Sequence, residues 1–114
     1  MSKPSHDDAA TLDAELSELR SAYARELPEK VQSLSAAVAL AQSSAGDRSV
    51  IKDAARQAHR LRGTAGSYGY ETVSQLAAEI EEGLLAAASD ETIQTALHAL
   101  ESAVAAALPG HSER

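Results

Sequence analysis

The sequence predicts an all-α protein: an antiparallel up-down-up-down four-helix bundle with an additional N-terminal helical segment. Three observations predict it. The 114 residues include 25 Ala and 13 Leu, both strong helix formers, and three Tyr are the only aromatic side chains. Apolar residues recur three and four positions apart along nearly the whole chain, the spacing of one helical face. The connections between these stretches are short, so successive helices must lie antiparallel and bury their stripes against one another.

Each element has its own signal. Leu12, Leu16, Leu19, Tyr23, Leu27, Val31, Leu34, Val38 and Ala41 form one continuous stripe. Pro28 interrupts it, so either a kinked long helix or a short helix followed by a longer one in nearly the same direction is expected. Ser43, Ser44, Ala45, Gly46 and Asp47 form the clearest loop. The next helix carries Val50, Ala54, Ala58, Leu61, Ala65 and Tyr68, with Gly69 as its stop. Val73, Leu76, Ala77, Ile80, Leu84 and Ala87 mark another. The last, with Asp90 as expected N-cap, carries Ile93, Leu97, Leu100, Val104 and Leu108. The expected organisation is a polar disordered tail over residues 1–10, one bundle over 11–109, and a second tail over 110–114. A chain with 44% hydrophobic and 24% charged residues at this length supports one core and not two.

Composition narrows the function. Cysteine is absent, which excludes disulfides, thiolate metal sites and thiol nucleophiles. His6, His98 and His111 have no partner at ligand spacing, so no metal is expected. A net charge of -7 argues against nucleic acid as a partner. No apolar run is long enough to cross a bilayer and Met1–Ala10 lacks a secretory segment, so no membrane partner and a cytoplasmic location are expected. The charge is nonetheless uneven. Arg48, Lys52, Arg56, Arg60 and Arg62 fall in one stretch whose single acid is Asp53.

On a helical wheel the stripe of that stretch centres on Ala54, Leu61, Ala65 and Tyr68, and His59 lies far from it. Lys52, Ala55, Arg56, Arg62, Gly63 and Gly66 share its outward face, which is expected to be basic, small and free of acids. Glycine within a helix costs about 1 kcal/mol relative to alanine. Two of them beside a histidine therefore need a compensating purpose. They let another surface approach and leave the imidazole open, while cations one turn away can hold a dianion by charge-assisted hydrogen bonds. A neutral imidazole is a competent nucleophile. Paired acids such as Glu81 and Glu82 read as a solvated helix face, and Gly83 as either close packing or mere tolerance.

The run His59-Arg60-Leu61-Arg62-Gly63-Thr64-Ala65-Gly66-Ser67-Tyr68-Gly69 resembles the signature of histidine-containing phosphotransfer (HPt) domains. In that family the histidine is followed by a leucine two residues on, then Lys or Arg, then Gly, and by a further glycine near the helix end. More loosely, YARELPEKVQSL (residues 23–34) and LAAEIEEGLL (residues 76–85) resemble the flanking helices. The resemblance implies a phosphorelay intermediate. His59 would accept a phosphoryl group on Nε2 from a receiver-domain aspartyl phosphate and pass it to another response-regulator receiver, or back. Arg62, in place of the more frequent lysine, would contact the phosphoryl oxygens, and Gly63 would clear space for the receiver. Gly66, Arg56, Lys52 and Ala55 are candidates for partner docking.

The implied partners are a receiver domain and a hybrid sensor histidine kinase. No cofactor is expected on this chain, the magnesium ion being held by the receiver. Lacking a Walker-type loop or kinase ATP-binding boxes, the protein is expected to be a phosphoryl carrier and not an enzyme, and a monomer. Alternatives are a helical docking module that binds a receiver or kinase without carrying phosphate, a helical oligomerisation domain, and a phosphoacceptor domain cut from a larger chemotaxis-type or hybrid kinase; a stand-alone shuttle is favoured over the last.

Overall fold

The structure, a computed structural model, describes residues 6–108. Four helices follow in order: α1 (His6–Ser43), α2 (Arg48–Ser67), α3 (Glu71–Leu85) and α4 (Asp90–Ala107), with no strand among the described residues. α1 packs on α2 and α4, α2 on α3, and α3 on α4, closing the ring of an up-down-up-down bundle. The core is built from the stripes visible in the sequence. Leu27, Leu34 and Val38 of α1, Ile80 of α3 and Leu100 of α4 are its largest fully buried side chains. From α2 come Ala54, Ala58 and Ala65 around the single large Leu61, so a helix with small inner residues lets its neighbours approach closely.

The N-terminal segment is not a separate helix. α1 runs unbroken through Pro28 for 38 residues, roughly 57 Å at 1.5 Å per residue. Proline removes one backbone donor, but the fully buried Leu27 and the nearly buried Val31 on either side of it tie both halves of α1 to one core. Helix formation also begins earlier than expected, at His6, within the segment assigned to a polar tail. Nothing in the sequence between Pro4 and Thr11 breaks a helix. Residues 1–5 and the proposed tail at 110–114 lie outside the described residues.

Local signals account for the remaining boundaries. Asp47 caps α2, its Oδ1 accepting from the Ser49 amide at 3.0 Å and the Ser49 hydroxyl at 2.8 Å, and these bonds hold its carboxyl below the usual range. Gly69, at φ +85°, ends α2, with its amide bonded to the Gly66 carbonyl at 3.0 Å. At α4 the cap is Ser89 and not Asp90: the Ser89 side chain accepts from the Thr92 amide at 3.1 Å, and Asp90 becomes the first helical residue. Gly83 marks close packing, since a Cβ there would meet Ile93 Cγ1 at 3.3 Å.

All three tyrosines gather where α2 turns into α3. Tyr23 stacks on Tyr68 with ring centroids 4.4 Å apart and bonds the Thr64 hydroxyl at 2.6 Å. Burial pushes its phenol pKa up. Arg20 donates from Nε to the Tyr68 carbonyl at 2.7 Å and lies over the Tyr70 ring at 4.6 Å, while the Tyr70 hydroxyl donates back to the Arg20 carbonyl at 2.8 Å. This cluster clamps α1 to the α2–α3 turn.

Candidate functional site

His59 projects from the middle of α2 with 68% of its side chain exposed. Its Nδ1 lies 3.0 Å from Oε2 of Glu81 on α3, and the other oxygen of the same carboxylate accepts from Arg62 Nη1 at 3.1 Å. Glu81 is itself only 15% exposed, seated between the two helices. An ionised carboxylate only accepts hydrogen bonds, so it selects the tautomer with the proton on Nδ1. The lone pair is then on Nε2, for which the described residues provide no hydrogen-bond partner.

Glu81 is the member of the candidate site that the sequence reading missed. Its assignment to a solvated face is corrected by the close approach of α3 to α2. The same approach is visible two turns on, where Ser74 donates to the Arg62 carbonyl at 2.8 Å and its hydroxyl would stand 3.3 Å from a Cβ on Gly66. Ser74 and Glu81 are seven residues apart, on one row of α3 beside the buried stripe of Val73, Ala77, Ile80 and Leu84. That row, with one acid at the edge of an apolar stripe, was the available signal. The face around His59 is therefore acid-free along α2 alone and not in the folded protein.

Of the other predicted site residues, Arg62 and Gly63 stand beside His59 as expected. Gly63 is exposed, and a Cβ there would have nothing within 4 Å, so its outer side is open. Gly66 is exposed as well, but the Ser74 hydroxyl already supplies a structural reason for a glycine. Ala55 is not on the open face: it is 5% exposed. Ala55, Arg62 and Gly66 follow one row of α2, and α3 lies along that row, so the buried arc of α2 is wider on this side than a wheel centred on Ala54 and Leu61 implies. Lys52 and Arg56 are exposed, Arg56 with Asp53 3.7 Å away. Arg48, Arg60 and Arg62 are exposed too, so the basic patch survives folding.

The site is an exposed, carboxylate-oriented histidine with an adjacent guanidinium on one helix of an up-down-up-down bundle. The comparison with known families agrees: the model of the Hpt domain matches residues 18–108, and the chain belongs to that family. No curated protein and no solved structure matched it. Hpt domains are phosphocarriers that act in phosphorelays with receiver domains and kinases, so histidine phosphotransfer is the function of this fold. No described helix is long and apolar enough to cross a membrane.

Proposed function

We propose that His59 is the phosphoacceptor, taking a phosphoryl group from a receiver-domain aspartyl phosphate and passing it to a second response-regulator receiver, or back. The observation that carries this reading is the Glu81 carboxylate bridging His59 Nδ1 and Arg62 while Nε2 faces outward. In the forward step the Nε2 lone pair forms the N–P bond as the P–O bond to the receiver's aspartate breaks, and the aspartate leaves as carboxylate. Positive charge develops on the ring, and the Nδ1 proton shared with Glu81 stabilises it. The same charge makes the imidazole a good leaving group in the return step.

Arg62 is bonded to Glu81, and once released its planar fork can hold two of the incoming phosphoryl oxygens. Gly63 keeps the approach clear, and Lys52 and Arg56 supply positive charge for docking. The domain carries the group and does not generate it: positioning and charge compensation are its contribution, and the magnesium ion that such transfer uses belongs to the receiver. A hybrid sensor kinase is the donor class, and the cytoplasm the compartment, that this chemistry implies.

The test is phosphorylation by phosphoramidate, a small donor that reacts with histidine directly, followed by intact mass and acid-lability measurements. One acid-labile, base-stable phosphoryl group on wild type, absent from a folded His59→Gln variant, is expected. Equal modification of the variant overturns the site; no modification of wild type, with a known phosphotransfer domain reacting alongside, leaves a docking module.

A further inference from the structure

Among the described residues five leucines stand largely in solvent, four of them on α1; the fifth, Leu85 at the end of α3, is 60% exposed. Its neighbour Leu84 belongs to the core, whereas Leu85 lies four positions beyond Glu81, one turn further along the row that faces α2. Two contacts fix the antiparallel register of these helices. Ser74 Oγ lies against Gly66, and Glu81, seven residues on, meets His59, seven residues back. Four more residues bring Leu85 beside Ala55, in keeping with the burial of that alanine. On this flank of the site the outermost apolar side chain is therefore not Ala55 of α2 but Leu85 of α3.

A specific protein interface covers roughly 800 Å2 of each partner, a disc about 16 Å in radius. Cβ atoms one helical turn apart are about 6 Å from each other, and Glu81 touches the His59 ring, so Leu85 falls inside such a disc centred on the imidazole. A domain that brings a phosphoryl group to Nε2 covers it. The other exposed groups nearby offer no apolar bulk: Lys52, Arg56 and Arg62 are cations, Glu82 is an acid and Gly63 has no side chain. Interfaces place apolar side chains in their dehydrated centre and charges at the rim, so among these groups burial of Leu85 drives association and the cations steer it.

Resting on the phosphotransfer reading above, we propose that Leu85 is the apolar anchor for receiver docking and that it sorts receivers. A receiver that exchanges phosphate with this chain presents an apolar side chain at the matching point beside its acidic pocket. A charged side chain at that point is dehydrated against leucine without a partner, which lowers affinity and supplies discrimination.

The test is transfer from a receiver domain charged with acetyl phosphate, at increasing receiver concentration, to the full chain. Leu85→Gln keeps side-chain length, net charge and helix propensity. Leu40→Gln is the control, an equally exposed leucine two positions past the buried Val38 and so on the outer face of α1. Leu85→Gln is expected to raise the half-saturating receiver concentration roughly tenfold and leave the limiting rate unchanged, the mark of lost docking and not of lost chemistry. The slope of transfer against ionic strength stays as in wild type, because no charge is altered. Labelling of His59 by phosphoramidate and the melting temperature are also unchanged, and Leu40→Gln behaves as wild type. Transfer to Leu85→Gln equal to wild type, or Leu40→Gln equally impaired, overturns the proposal, while labelling of His59 keeps the phosphotransfer reading. If wild type is not labelled that reading fails, and calorimetric titration with the receiver decides: binding weakened in Leu85→Gln alone retains the anchor, and equal binding of all three proteins overturns it. A wild type that engages no receiver overturns it as well.

Discussion

Glu81 on α3 holds His59 on α2 by a 3.0 Å contact at Nδ1, across 22 positions of sequence. The geometry makes the carboxylate an orienting group for the imidazole and a resting place for Arg62 at once. Replacing it separates the two roles. Glu81→Gln retains an oxygen for Nδ1–H and loses the charge. Glu81→Leu loses both, and is expected to lower the rate of phosphorylation by phosphoramidate roughly tenfold or more, about the worth of one charge-assisted hydrogen bond. Nitrogen NMR of the imidazole checks the cause: the Nδ1–H tautomer dominates in wild type and Glu81→Gln, and a mixture appears in Glu81→Leu. An unchanged tautomer in all three would remove Glu81 from the mechanism.

Gly63 separates stability from partner access. A methyl at this position meets nothing within 4 Å, so Gly63→Ala is expected to stabilise the helix by about 1 kcal/mol. Acceptance from phosphoramidate should be unaffected, whereas transfer from a phosphorylated receiver should slow, more so for Gly63→Val. Gly66→Ala is the contrasting case, because Ser74 Oγ at 3.3 Å must give way. Its gain in melting temperature should be smaller than that of Gly63→Ala. Undiminished receiver transfer in Gly63→Val would show that the open side of Gly63 is not where the partner docks.

The exposed patch of Arg48, Lys52, Arg56, Arg60 and Arg62 lies on a protein of net charge -7. Local attraction of an acidic receiver pocket therefore acts against overall repulsion, and transfer rates are expected to fall as ionic strength rises. Lys52→Glu/Arg56→Glu should reduce the apparent affinity for the receiver and flatten that salt dependence, leaving phosphoramidate labelling of His59 unchanged. Transfer insensitive to salt would rule out steering by this patch.

Tyr23 links stability to alkaline pH. Burial raises its phenol above the ordinary value of 10.0, so the folded state keeps this proton more tightly than the unfolded chain. The associated stability is fully present below the unfolded value and is lost as pH rises through the folded one. At neutral pH, Tyr23→Phe is expected to cost about 1 kcal/mol through the lost bond to Thr64. The gap between wild type and variant should narrow in thermal melts above pH 10. A gap that stays constant across that range would mean the phenol is not held by its burial.

Asp47 supplies the acid-side counterpart. Its carboxyl is held below the ordinary range by the Ser49 hydroxyl and amide, so its stabilisation of α2 is present above the unfolded value and is lost as pH falls through the folded one. Asp47→Ala should lower the melting temperature by a few degrees at neutral pH, with the difference from wild type disappearing in acid. Persistence of the difference at low pH would point to the side-chain shape and not its charge.

The sequence by itself determined the bundle, the order of its helices and the place of His59, because those follow from periodicity, turn residues and a local motif within one helix. It could also place Arg62 and Gly63, which lie on the next turn of α2. Pro28 was ambiguous because local propensity favours a break, while the buried stripe on both sides favours continuity; packing decided for one helix. What only the tertiary structure decided is which flank of each helix its neighbours cover. α3 lies along the row of Ala55, Arg62 and Gly66, burying an alanine expected on the surface and bringing Glu81 to the imidazole. Likewise Leu12, Leu16 and Leu19 are indistinguishable in sequence from the core residues they precede, and only the length of α1 relative to its neighbours leaves them uncovered. A one-dimensional wheel gives the direction of each side chain from its own axis, and the distances to other axes exist only after the helices have packed.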